Sequence, residues 1–289
     1  MKQSVALVLS SGGSKGLAHI GVINELEKQG FEITSISGSS IGSVIGGLHA
    51  MGKLDEYTKW IKTLNKKLVW GLMDFTFSSK GLLKGVKVFD KMKTFIPDIL
   101  IEEMNIPFTA VATDIINEKE VVFTTGSFYE SIRASVSIPS IITPVKYKDT
   151  FLIDGGVLNP IPIEHVIRKP SDILVVVNLY GDKVERTTEA KIHKKSSNGM
   201  FNGFVESVNR LISSGDKNSM GYFSLLNSTT NAMVHKLAKH NIERYQPDII
   251  INIPHDAANT FDFHKADELI ALGEKATIQE ISNYLNTIS

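Results

Sequence analysis

Between Ile33 and Gly52 the chain carries no Asp, Glu, Lys or Arg, and at the centre of this stretch stands Gly38-Ser39-Ser40-Ile41-Gly42. This is a G-x-S-x-G sequence, in which a serine can occupy a sharp turn between a strand and a helix with its oxygen projecting. The residues two before and two after that serine must be small for strand and helix to pass closely, and Gly38 and Gly42 meet the demand. Ahead of the motif, Phe31 to Ser37 is a β-compatible run; behind it, Ile41, Val44, Ile45 and Leu48 recur at helical spacing. The stretch predicts strand, turn and helix, with Ser40 as candidate nucleophile. A glycine-rich turn in any α/β unit reads the same way, so both readings stand at this point. A membrane span is excluded, because the many Gly and Ser residues make the stretch too polar.

The same order occurs once more, nearer the start. Val5 to Leu9 reads as a buried strand, Ser10-Ser11-Gly12-Gly13-Ser14-Lys15-Gly16 as a turn, and Leu17, Ile20, Ile23 and Leu26 as an amphipathic helix. Such a turn aims backbone N–H groups at the helix N-terminus, where negative charge is stabilised. A dinucleotide phosphate fails on spacing: position 11 is serine where G-x-G-x-x-G needs glycine, and the acidic residue expected roughly 20 positions on is missing. No Walker G-x-x-x-x-G-K-[ST] can be written through Lys15 either. The remaining candidate is an acyl-transfer oxyanion, held by the N–H groups of Gly12 and Gly13.

A serine hydroxyl needs a neighbouring group to take its proton. Thr150 to Ile153 looks extended and leads into Asp154-Gly155-Gly156. Asp before two glycines is commonly a turn residue, but Asp154 is also the best-placed base by motif. The familiar hydrolase order of Ser, Asp, His draws attention to His165, His193, His235, His240, His255 and His264, none of which has a distinctive surrounding motif. His19 and His49 sit on the helices after the two glycine turns, and no zinc spacing is present. With no cysteine in the chain, thiolate nucleophiles, disulfides and Cys-ligated metals are excluded.

Elsewhere the periodicity fixes further elements. Phe108 to Asp114 and Glu120 to Thr125 form an expected hairpin; Phe128 to Ser137 is a helix ending before Pro139, followed by an extended Ile141 to Val145. Ile173 to Leu179 and Ile249 to Ile253 are strands, and Phe263 to Tyr284 is a C-terminal helix. Trp60, Trp70, Leu72, Met73, Phe75, Phe77, Leu82 and Leu83 lie scattered between Lys53 and Asp98, as core or as an acyl-chain groove or lid. Arg133 reads as a structural partner or a head-group contact, the former being preferred. Gly181 to Gly199 is polar and reads as an exposed loop. The helical spacing from Phe201 to Ile212, after Lys191, Lys194 and Lys195, admits packing on the core or contact with a membrane surface. Thirty-one basic residues balance thirty-one acidic ones, which removes a global electrostatic case for nucleic acid. The start, Met1-Lys2-Gln3-Ser4-Val5, has no small-residue cleavage site, so a cytoplasmic chain is expected.

Taken in order, Gly12-Gly13-Ser14-Lys15-Gly16, Gly38-Ser39-Ser40-Ile41-Gly42 and Asp154-Gly155-Gly156 resemble the patatin-like phospholipases, in particular the compact bacterial members. Ala18-His19-Ile20-Gly21-Val22, Arg133-Ala134-Ser135, Ile138-Pro139-Ser140, Asn159-Pro160-Ile161-Pro162 and Asp262-Phe263-His264 extend the likeness over nearly the whole chain, with residues 182–220 its variable part. The resemblance implies one domain over residues 1–289, with a three-layer α/β/α fold around a mainly parallel sheet and catalytic motifs within 10–156. It implies a Ser-Asp dyad with Ser40 as nucleophile and Asp154 as base, and an oxyanion hole at Gly12 and Gly13. Lys15, Gly16, Gly38, Gly42, Gly155 and Gly156 support these motifs. The implied substrates are acyl esters of phospholipid or lysophospholipid met at the inner membrane surface, without metal or organic cofactor. Ser10 and Ser11 depart from the family pattern, where many members carry a further glycine. Ser39 replaces the histidine usual in the related acyl-carrier-protein acyltransferases and favours hydrolysis. The competing expectations are a small-ester esterase or thioesterase with a histidine in its mechanism, and a lipid-binding or regulatory protein of the same fold.

Overall fold

The structure is a computed structural model that describes residues 3–78, 81–183 and 222–288. Its frame is an eight-stranded sheet. Five strands run parallel in the spatial order β10 (Ile249–Pro254), β9 (Ile173–Gly181), β1 (Gln3–Leu9), β2 (Phe31–Ser39) and β5 (Phe108–Asp114). β6 (Lys119–Phe123), β8 (Thr150–Asp154) and β7 (Val145–Tyr147) add antiparallel pairs at one end. The parallel strands are buried on both faces, which is why β1 and β9 read as continuous apolar runs.

Alternate residues of β1 serve opposite cores. Val5, Leu7 and Leu9 pack with α1 (Ala18–Lys28), α2 (Ile41–Ala50) and α8 (Ala266–Ile288), whereas Ala6 and Val8 pack with Ile161, Ile163 and Ala238 of α7 (Tyr222–Tyr245). Helices thus cover both faces, giving the expected three-layer α/β/α architecture with a mainly parallel sheet. α1 and α8 cross backbone to backbone: a Cβ at Gly21 would strike the Ile270 carbonyl oxygen, and one at Gly273 that of Ala18. α2 is the buried helix, with nine of its ten residues enclosed, which explains a sequence apolar or small all round.

The remaining layer is built by α3 (Leu54–Ile61), α4 (Lys66–Leu72), the hairpin β3 (Phe75–Ser78) and β4 (Gly81–Leu83), and α5 (Lys87–Lys93). α6 (Phe128–Ser135) packs on β5 and β8. Two local expectations change. Of the extended run Ile141 to Val145, only Val145 belongs to a strand, because Ser140 takes a φ of 65° after Pro139 and the chain turns there. Phe263 to Lys265 is a 3-10 turn that precedes α8. The loop and helix expected between Asp182 and Met220 fall, beyond Lys183, outside the described residues.

The register of β5 sets the site. β2 pairs with its residues 108–111 and β8 with 112–114, while β6 runs along 110–114. β6 therefore occupies one edge, and β2 and β8 share the other in succession. Ser39 pairs with Val111 and Asp154 with Ala112, so the ends of two strands meet head to head.

Candidate active site

Ser40 caps α2 with φ 52° and ψ −123°, a conformation that costs a non-glycine residue about 1–3 kcal/mol. Its surroundings impose this. Its N–H donates to Ser135 Oγ at 2.9 Å, Ser135 Oγ in turn donates to the Val111 carbonyl at 2.6 Å, and the Ser40 carbonyl accepts from Ser43 Oγ at 2.6 Å. A Cβ at Gly38 would overlap the Gly42 carbonyl, and one at Gly42 would overlap that of Leu9. The flanking glycines therefore have the reason assigned to them from the sequence.

Ser40 Oγ donates to Asp154 Oδ2 at 2.6 Å, and Asp154 Oδ1 accepts from the Gly156 N–H at 2.8 Å. Both side chains are buried. Burial pushes the Asp154 carboxyl up to about 6, against the opposing pull of its bonds to Ser40 and Gly156. Gly155 and Gly156 allow the approach, since a Cβ would meet the Val111 carbonyl at the former and Ser11 Oγ at the latter.

The glycine loop enters a 3-10 turn, Gly13–Leu17, with Gly13 at φ 62°. The Ser11 and Ser14 amides are engaged by the carbonyls of Pro160 (2.9 Å) and Thr260 (3.0 Å), whereas those of Gly12 and Gly13 donate to nothing among the described residues. Ser10 Oγ accepts from the Leu179 N–H at 3.0 Å, and Ser11 Oγ is bonded to Tyr180 Oη. The two serines that depart from the family pattern thus fasten the loop to β9. Lys15 ties the loop to β9 and to the turn after β10: its Nζ donates to the carbonyls of Leu179 (2.9 Å) and His255 (3.1 Å), with burial lowering it to about 8. Gly16 lies against Ile41, locking the loop to the start of α2.

His19 is a contributor whose role the sequence did not disclose. It is fully buried, and its Nε2–H donates to the Ser10 carbonyl at 2.9 Å, with burial holding the ring down at about 4 and hence neutral. Ser135 is likewise a hidden part of the site, marked in the sequence only as family-like. No described histidine bonds to Ser40 or Asp154: His165 pairs with Glu120 at 2.7 Å, His255 with the Gly181 carbonyl, and His49 approaches Glu27. His193 lies outside the described residues. Glu120, Glu164 and His165 converge, yet Glu120 is committed to His165 and to Asn159 Nδ2 at 3.0 Å, which makes the group a brace of β6. Arg133 is structural as expected, reaching Ser137 Oγ and Thr143.

Ser40 and Gly13 open onto a cavity of about 970 Å³ including its mouth, lined almost wholly by apolar side chains. Trp60, Leu72, Met73 and Leu83 are among them, joined by Val69 of α4 and by Phe89 and Met92 of α5. Four of the scattered apolar residues, Trp60, Leu72, Met73 and Leu83, thus line a groove beside the serine, whereas Trp70, Phe75 and Leu82 do not. A hydroxyl bonded to a buried carboxylate, free amides nearby and an apolar cavity together suit attack on an ester that carries a long hydrocarbon chain.

A family model described as Patatin-like phospholipase matches residues 7–167. An uncharacterized NTE family protein of Mycobacterium tuberculosis is 30% identical, over 97% of this chain and 92% of its own. A Lysophospholipase NTE1 of Kluyveromyces lactis is 26% identical over 94% of this chain, which spans only 19% of that protein. Among solved structures, VipD from Legionella pneumophila overlays with a TM-score of 0.47 at 13% identity, over 98% of this chain and 67% of that one. With more than half of the chain inside the family model and a relative matched almost end to end, this chain belongs to the patatin-like phospholipase family and is a hydrolytic enzyme of the lipid acyl hydrolase class.

Proposed function

We propose that Ser40 and Asp154 are the catalytic dyad and that the substrate is the fatty-acyl ester of a phospholipid or lysophospholipid. The observation that carries this reading is the 2.6 Å bond from Ser40 Oγ to Asp154 Oδ2 at the mouth of an apolar cavity. As Ser40 Oγ attacks the ester carbonyl carbon, its proton passes to Asp154 Oδ2. The carbonyl oxygen takes up negative charge and accepts hydrogen bonds from the Gly12 and Gly13 amides. The α2 N-terminus favours the same charge. Collapse of the tetrahedral intermediate breaks the ester bond, and Asp154 returns the proton to the departing glycerol oxygen. Water, deprotonated by Asp154, then attacks the acyl-Ser40 ester, releasing the fatty acid and restoring the serine.

The cavity holds the acyl chain, and the lysophospholipase relatives favour a substrate with one such chain. The proposal takes the described residues as one patatin-like domain, supported by contacts that bind the loop near residue 12 to residues near 180 and 260. The test is mass-spectrometric detection of a fluorophosphonate adduct, followed by fatty-acid release from lysophosphatidylcholine and from diacyl phosphatidylcholine. Labelling at Ser40 that is lost in Ser40→Ala and strongly slowed in Asp154→Asn is the expected outcome. A folded wild type that takes no label sinks the dyad.

A further inference from the structure

The layer that walls the cavity has a charge unlike the rest of the molecule. Residues 53–93 hold ten lysines and no arginine against Asp55, Glu56, Asp74 and Asp90, in a chain whose formal net charge is zero. One of the four carboxylates, Asp74, is already engaged: it accepts from the N–H groups of Gly85 (2.7 Å), Val86 (2.8 Å) and Lys87 (3.0 Å). Those bonds tie the end of α4 to the start of α5. Lys66, Lys67, Lys84 and Lys91 are exposed and have no carboxylate within ion-pair distance among the described residues.

The same two segments carry exposed apolar side chains. α4 turns Val69 and Leu72 into the cavity, while Leu68, at the edge of the same face, is 47% exposed; Gly85 and Val88 line the cavity while Val86 between them is 44% exposed. Trp70, an amphipathic ring, is half-buried against Phe75, with ring centroids 4.8 Å apart. Exposed Leu68 and Val86, on the same two cavity-walling segments as the unpaired Lys66, Lys67, Lys84 and Lys91, suit a bilayer interface with anionic head groups.

We propose that the surface formed by α4 and the segment 84–91 docks the enzyme on a bilayer containing anionic phospholipid, so that an acyl chain leaves the bilayer straight into the cavity. Leu68 and Val86 enter the interface, and Lys66, Lys67, Lys84 and Lys91 meet the phosphates. The docking deepens the lipid-hydrolase reading, but its test does not depend on turnover.

The experiment is co-sedimentation of the catalytically silenced Ser40→Ala protein with vesicles of phosphatidylcholine alone or mixed with phosphatidylglycerol. Binding to the mixed vesicles, weakened by salt and about thirtyfold weaker in a Ser40→Ala protein that also carries Lys66→Gln and Lys67→Gln, is the expected result. Leu68→Gln lowers it further. In the otherwise wild-type chain, these surface changes leave hydrolysis of a soluble short-chain ester unaltered. Equal binding to both vesicle types, or binding indifferent to the lysine changes, overturns the proposal, as does a matching loss of soluble-ester turnover. Anionic-vesicle binding without any ester turnover by the wild type removes the dyad and leaves the docking surface standing.

Discussion

An aspartate of ordinary acidity is a weak partner for a serine hydroxyl, and in this chain burial supplies the missing basicity. With Asp154 pushed up to about 6, kcat/KM for a soluble ester falls as pH drops through about 6, when the carboxylate takes up a proton; a pH–rate profile reads this directly. At neutral pH, Asp154→Asn lowers turnover by about 10²–10⁴-fold. The same shift has a thermodynamic sign. The folded protein holds the Asp154 proton more tightly than the unfolded chain, so the stability of the protonated form is present below about pH 4 and lost as pH rises through about 6. The full shift corresponds to an upper bound of about 3 kcal/mol. Asp154→Asn keeps the neutral form at every pH, so its Tm exceeds that of the wild type by several degrees at pH 7 and matches it at acid pH, measured by calorimetry. Ser40, Asp154 and their flanking glycines were legible because each set lies in one short contiguous motif, although the approaches that Gly42, Gly155 and Gly156 permit are to the distant Leu9, Val111 and Ser11. Ser135, which holds the Ser40 amide, was not, because nothing local to α6 reveals that it lies beside the end of β2.

At the scale of elements, the loop after β1 is held from outside itself: His19 from α1, Tyr180 from β9, Thr260 from the turn before α8. His19→Ala frees the Ser10 carbonyl and with it the path of the Gly12 and Gly13 amides. The expected consequence is a fall in kcat of about ten- to hundredfold with KM nearly unchanged, and slower fluorophosphonate labelling, in steady-state kinetics on a soluble ester. A fall in Tm alone, with kcat intact, refutes the positioning role. The strand–turn–helix units at residues 5–26 and 31–50 could be read from periodicity because each repeats its apolar face within a dozen residues. α7 could not. Val234, Ala238 and Ile242 touch the core at four-residue intervals, but its first turns are rich in Ser, Thr and Asn, and Leu225, Leu226, Ser228 and Thr229 are exposed. Such residues favour caps and turns over helix interiors, so only packing on β9 justifies the helix.

On the scale of the molecule, the sheet presents Ser40 and Asp154 and the α3–α5 layer walls the apolar cavity, which on the proposed reading encloses the acyl chain. Widening a side chain on the cavity wall should therefore change which chain lengths fit without changing chemistry. Val69→Trp is expected to lower kcat/KM for long-chain esters at least tenfold while sparing a butyryl ester, in a chain-length series on soluble substrates. The cavity could be suspected from scattered aromatics but not drawn from them, since its wall has neither helical nor strand periodicity over any long run. The succession of β2 and β8 along one edge of β5 also bears on how the enzyme comes into being. Ser40 leaves the ribosome more than a hundred residues before Asp154, and the loop beside it waits longer still for Leu179, His255 and Thr260. Under the proposed dyad, a growing or broken chain carries its serine without the proposed base and without a set glycine loop. On that reading, acyl-ester hydrolysis waits until the last strands have docked.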